Sequence, residues 1–96
     1  MDEILFKLQQ WFAQQCDGDW EHQWGIKIGT LDNPGWSLHI DLRGTPWATS
    51  TLALVQVERS ETDWVFYQVK DLQFVGHGGA ANLNELIAAF RRFVEG

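Results

Sequence analysis

Apolar residues at Ile4, Leu8, Trp11 and Phe12, with Leu5 beside them, recur at helical spacing and predict an amphipathic helix over Ile4 to Gln15. Asp2 or Glu3 near its start suits the positive end of the helix dipole. Asp17-Gly18 supplies a stop, because glycine takes the left-handed conformation past a last turn without steric cost. The following stretch, Asp17 to Gly25, is polar and aromatic and reads as a loop leading into an edge strand. Ile26, Ile28 and Thr30 then alternate with Lys27 and Gly29, the pattern of a half-buried strand. Asp32-Asn33-Pro34-Gly35 is a strong turn signal. Beyond it Trp36, Leu38, Ile40 and Leu42 alternate with Ser37, His39 and Asp41, so the two runs predict an antiparallel hairpin. Arg43-Gly44-Thr45-Pro46 ends it.

Thr51 to Glu58 is β-rich and apolar on both faces, which predicts a strand in the middle of the sheet. Ser60 to Asp63 is a turn, Trp64 to Val69 a further strand, and Leu72 to Val75 its continuation or a fifth strand. Gly76-His77-Gly78-Gly79 reads as a flexible loop. Asn82, with Glu85 three residues on, starts a last helix in the manner of a capping box. Leu83, Leu86, Ile87, Phe90 and Val94 form that helix's apolar face, and Arg91 and Arg92 complement its negative end. The predicted fold class is α+β: an antiparallel sheet of four to five strands, with the N-terminal and C-terminal helices packed on one face.

Composition narrows the classes. A chain of 96 residues, 45% hydrophobic, is expected to form a single domain over 1–96 with one core and no metal or disulfide staple. The net charge of −6 opposes a phosphate backbone and favours a basic protein partner, so no nucleic acid is expected to bind. Cys16 is the only cysteine, which excludes an intramolecular disulfide. Met1-Asp2-Glu3 lacks the basic and apolar regions of a signal peptide, and no apolar run approaches the roughly 20 residues of a membrane span. A cytoplasmic location away from membranes is the expectation.

The densest polar cluster is Asp17, Asp19, Glu21 and His22. Its spacing lacks the glycine and terminal glutamate of a calcium loop and the Cys or His pairs of a zinc site, so no metal or other cofactor is expected. Turn and cap chemistry, or an acidic and aromatic contact patch, are the competing readings. Cys16 beside His22, His39 or His77 would be the nucleophile of an enzyme, yet no cysteine-enzyme signature surrounds it. The glycine-rich loop at 76–79 lacks the Walker lysine.

Three blocks carry a resemblance: Cys16-Asp17-Gly18-Asp19-Trp20-Glu21-His22, Gly25-Ile26-Lys27-Ile28, and Thr30-Leu31-Asp32-Asn33-Pro34-Gly35-Trp36. Together with Trp11-Phe12, Phe74 to Gly79, Asn82-Leu83 and Phe90, they resemble the immunity protein 53 family of bacterial polymorphic toxin systems. The resemblance implies a small cytoplasmic protein without enzymatic activity that binds and neutralises a cognate toxin, such as a basic nuclease, by occlusion. On that reading Asp17, Asp19 and Glu21 meet toxin Lys or Arg, Trp20 or Trp24 supplies an anchor, and His22, Asp32 and Asn33 extend the contact. The chain alone is expected to be a monomer or a weak homodimer. The alternatives are a small enzyme using Cys16 or the Asp17/Asp19/Glu21/His22 cluster, and a regulatory protein-binding subunit.

Overall fold

The computed structural model describes residues 3–96. Met1 and Asp2, and with Asp2 its expected part at the first helix, lie outside the described residues; Glu3 stands in that helix's first turn. The elements in chain order are α1 (Glu3–Gln15), a one-turn α2 (Trp20–Gln23), β1 (Ile26–Leu31), β2 (Gly35–Asp41), β3 (Val55–Glu58), β4 (Trp64–Lys70), β5 (Gln73–Gly79) and α3 (Leu83–Glu95). The five strands form one sheet in the order β1-β2-β5-β4-β3, every neighbouring pair antiparallel. The fold is α+β.

The hairpin alternation sorts side chains as expected. Leu38 and Ile40 of β2 point to the same face as Phe74 of β5 and Val65 of β4, and Leu86, Ile87 and Phe90 of α3 close over them. α1 lies beside α3, where the Trp11 ring meets Phe90 edge-on at 4.9 Å and packs against Trp20 and Trp47 at 6.0 and 5.9 Å. Both long helices therefore serve one core on one face of the sheet. Its other face carries Trp64, Phe66, His77 and His39, a row of rings with centroids 5.0–5.8 Å apart.

Four local expectations need correction. Gly76 to Gly79 is not a flexible loop but the end of β5, with Gly76 to Gly78 paired on both sides and Gly79 paired with β2. A Cβ on Gly76 would stand 3.0 Å from Leu86 Cδ2, and one on Gly78 would stand 3.1 Å from the Asn82 Cβ. The glycines let α3 lie close over the sheet, which is the use of glycine inside a strand. Of Thr51 to Glu58 only Val55–Glu58 is strand, and it sits at the sheet edge rather than in its middle. Leu52 reaches the core and its carbonyl accepts the Val69 N–H, while Leu54 is left 52% exposed.

The stretch 17–25 does not run as an extended loop, because α2 forms within it. Asn82 makes no side-chain cap bond either. Its Nδ2 donates to Asp63 Oδ1 and Glu85 Oε1, both at 3.0 Å, and Arg59 donates to the same two carboxylates. This network ties the β3–β4 turn to the start of α3.

Candidate functional site

The segment 17–24 is built from its own carboxylates. Asp17 Oδ1 accepts the backbone N–H groups of Asp19 and Trp20 at 3.0 and 2.9 Å, satisfying donors at the start of α2 that no helical carbonyl can reach. Glu21 reaches back, its two oxygens accepting from the Asp17 and Gly18 N–H groups at 2.9 and 2.8 Å. Gly18 makes the bend with φ +90°. Hydrogen bonds from the Trp20 and Asp19 N–H groups hold the Asp17 carboxyl below the usual range. The Glu21 carboxyl is lowered too, by its own backbone N–H first and then by those of Asp17 and Gly18.

This turn docks onto the chain after β2. Trp20 is 4% exposed, and its indole N–H donates to the Arg43 carbonyl at 2.7 Å. Gly44, at φ +74°, makes room for the ring, since a Cβ there would stand 3.1 Å from Trp20 Cδ1. The Arg43 guanidinium lies 5.0 Å from the Trp24 ring centroid and bonds Asp41 Oδ1 at 3.1 Å. Trp20 is thus committed to the core and presents no face to a partner, while Trp24 is half-buried at the rim. Asp19 and His22 are exposed, and among the described residues the only side-chain partner of Asp19 Oδ1 is Gln23 at 3.4 Å.

Asp32 and Asn33 are exposed in the β1–β2 turn, at the other end of the hairpin from Trp24. Six strand residues span about 20 Å, so the two groups of predicted contact residues form separate patches. The rest of the Asp32–Trp36 block is structural. A Cβ on Gly35 would collide with the Gly78 carbonyl oxygen, and the Trp36 indole N–H donates to the Ala80 carbonyl at 2.9 Å.

Among the described residues no group of three or more His, Cys, Asp or Glu side chains is gathered closely enough to hold a metal ion. The Cys16 thiol donates to the Phe12 carbonyl at 3.3 Å, and its pKa is raised by desolvation first and then by the charges of Glu21 and Asp17. That setting opposes thiolate formation. A cleft of about 210 Å³ between α1 and α3 is lined by apolar side chains, among them Trp11, Trp47 and Phe90, together with polar ones that include Lys7, Arg91 and Glu95. No helix among the described residues is long and apolar enough to cross a membrane.

One exposed apolar surface is not evident from the spacing of its residues. Leu5 is 55%, Ile28 43% and Phe12 36% exposed, although all three fit the apolar periodicity of their elements. The helical layer covers Ile26 and stops short of Ile28. Periodicity alone says which way a side chain points, not whether a neighbour arrives to cover it.

Nearly the whole chain, from residue 5 to residue 95, matches the immunity protein 53 family. The chain belongs to that family. No curated protein and no solved structure matches it. As an immunity protein 53 member it is an immunity protein, whose role is neutralisation of a toxin. Both Trp-containing blocks that carried the resemblance are held largely by internal contacts: Trp20 by Arg43 and the core, Gly35 and Trp36 by β5 and the residues just after it.

Proposed function

We propose that this immunity protein works in the cytoplasm, its residues 1–96 forming a single domain, without a cofactor, and neutralises a cognate toxin by covering it. The toxin is an enzyme with a basic surface, a nuclease being the natural example. The observation that carries this reading is the net charge of −6, with Asp17, Asp19 and Glu21 gathered on one exposed turn braced against the core. A fixed acidic turn attracts a cationic surface over a distance and loses little freedom on contact. Trp24 and His22 adjoin it, and Trp20 holds the turn in place from beneath. Asp32 and Asn33 form a second contact patch on a large toxin. The chain alone is a monomer or a weak homodimer.

Co-expression with the product of the adjacent gene tests the reading: cells survive and the two proteins co-purify. A harmless neighbour that forms no complex would remove its support. Asp19→Lys probes the acidic turn without breaking it, because the Asp19 carboxylate accepts no backbone N–H there and the bond from the His22 N–H goes to the main-chain carbonyl, which the substitution keeps. It is expected to slow association and flatten the salt dependence of that rate, and an unaltered rate would exclude this turn from the interface.

A further inference from the structure

Among the described residues the sheet has one long unpaired edge. β1 is hydrogen-bonded to β2 on one side only. The Asp41 N–H donates to the Gly25 carbonyl at 3.1 Å. Bonded and non-bonded pairs alternate along an antiparallel ladder, so Lys27–His39, Gly29–Ser37 and Leu31–Gly35 are the bonded pairs that follow. The backbone N–H and C=O groups of Ile26, Ile28 and Thr30 therefore point outward. Of the usual protections of an edge, β1 keeps only Lys27: the register is continuous without a bulge and no proline interrupts the strand. The opposite edge, β3, is four residues long and carries Glu58.

The same edge is apolar on its helical side. Leu5, Leu8, Phe12 and Ile26, with Gln9, line a groove between α1 and β1, and Ile28 stands exposed two residues on, on the same face as Ile26. At the end of the groove where α1 stops and β1 begins stand Asp17, Asp19 and Glu21. Trp20, within that turn, packs 5.9 Å from the Phe12 ring. The unpaired backbone of β1 thus adjoins an apolar groove, and an acidic turn precedes the strand.

We infer that an extended segment of the toxin adds to β1 as a sixth strand, resting on the toxin-binding reading above. Its backbone pairs with Ile26, Ile28 and Thr30, and alternate apolar side chains enter the groove. A Lys or Arg at one end reaches the acidic turn. Strand addition draws affinity from main-chain bonds and specificity from the pockets that take alternate side chains. A second copy of this chain is the poorer occupant, because pairing two β1 edges brings together two molecules that each carry −6. A basic segment gains where a second copy is repelled.

The test uses the full chain and the purified toxin, with affinity measured by titration and folding checked by circular dichroism and melting. Ile28→Pro removes the outward N–H at the edge, where proline is tolerated, and Leu5→Asp places a charge in the groove. Each is expected to weaken toxin binding by at least about 30-fold with the fold retained. Leu54→Asp, an equally exposed apolar position on the segment leading into β3, is expected to bind like the parent. If Ile28→Pro fails to fold, Leu5→Asp carries the test alone, since it touches no ladder bond.

Folded variants that bind like the parent overturn the inference. So does a parent chain that sediments as a dimer, loses the dimer in Ile28→Pro and keeps its toxin affinity, for the edge then belongs to a second copy. A parent chain that fails to bind the toxin at all refutes the toxin-binding reading before any variant is compared, and the docking inference falls with it.

Discussion

Replacing Trp20 separates what the acidic turn needs for folding from what it offers a partner. The ring is 4% exposed, meets Trp11 edge-on at 6.0 Å and donates its N–H to the Arg43 carbonyl at 2.7 Å. A tryptophan buries about 200 Å², which at about 25 cal/mol per Å² corresponds to about 5 kcal/mol as an upper value. Residual burial in the unfolded chain lowers that figure and the cavity left behind raises it, so Trp20→Ala is expected to cost about 4 kcal/mol. Domains of this size hold on the order of 5–14 kcal/mol in total, so the alanine variant stands near the limit of folding.

Trp20→Phe is the more informative variant. It keeps most of the ring and leaves the Arg43 carbonyl without its donor, a loss of about 1–2 kcal/mol. That corresponds to a fall in Tm of about 6–12 °C. Urea titration followed by far-ultraviolet circular dichroism measures both variants. Because the ring presents no face to a partner, the folded phenylalanine variant keeps its toxin affinity. A loss below about 1 kcal/mol for alanine, or a phenylalanine variant of native stability that no longer binds toxin, would refute the placement of Trp20 as a buried brace.

Four further outcomes are expected. Asp17 and Glu21 have folded pKa values below their unfolded ones, so the stability they contribute is full above about pH 4.5 and is lost as pH falls through the lowered values; pairing Asp17→Asn with Glu21→Gln flattens the acid limb of a stability–pH curve, and a limb parallel to the parent's would contradict the cap. His77 is pushed below the ordinary histidine value by burial first and by His39 second, so its imidazole titrates below about pH 6.5 by NMR and moves upward in His39→Ala; an unmoved titration would show that the two rings do not interact. Gly76→Val, whose Cβ meets Leu86, costs about 1–3 kcal/mol in urea unfolding, and native stability would mean that α3 does not lie so close. The Cys16 thiol, raised by desolvation and by Glu21 and Asp17, reacts with iodoacetamide at pH 7 more slowly than free cysteine, and rapid alkylation would revive a nucleophilic role.

Much of the fold was legible where one residue carries one message. Asp32 to Gly35 between two alternating runs specified the first hairpin, and the apolar stripe from Leu83 to Val94 specified α3. The fold is less legible where a residue type serves two purposes. Glycines at 76–79 signal a loop by composition and allow close helix packing in fact. The β4–β5 turn places Asp71 and Leu72 at φ 55° and 63°, and leucine gives no local hint of a left-handed turn.

The candidate site was half legible. The acidic turn was found, but the run Asp17 to Glu21 does not say that two of its carboxylates are occupied by backbone N–H groups, nor that Trp20 is covered from behind by residues 43 and 44. Ile28 and Leu5 looked like core because their spacing is that of core. Only the position of α1 over the sheet leaves them bare.

The central claim is neutralisation by direct binding, and titrating the purified toxin's own activity with this protein tests it most directly. Activity should fall linearly and vanish at one equivalent of protein, with inhibition weakening as salt screens the −6 charge. A toxin that keeps its full activity in a large molar excess of the folded protein would contradict the account.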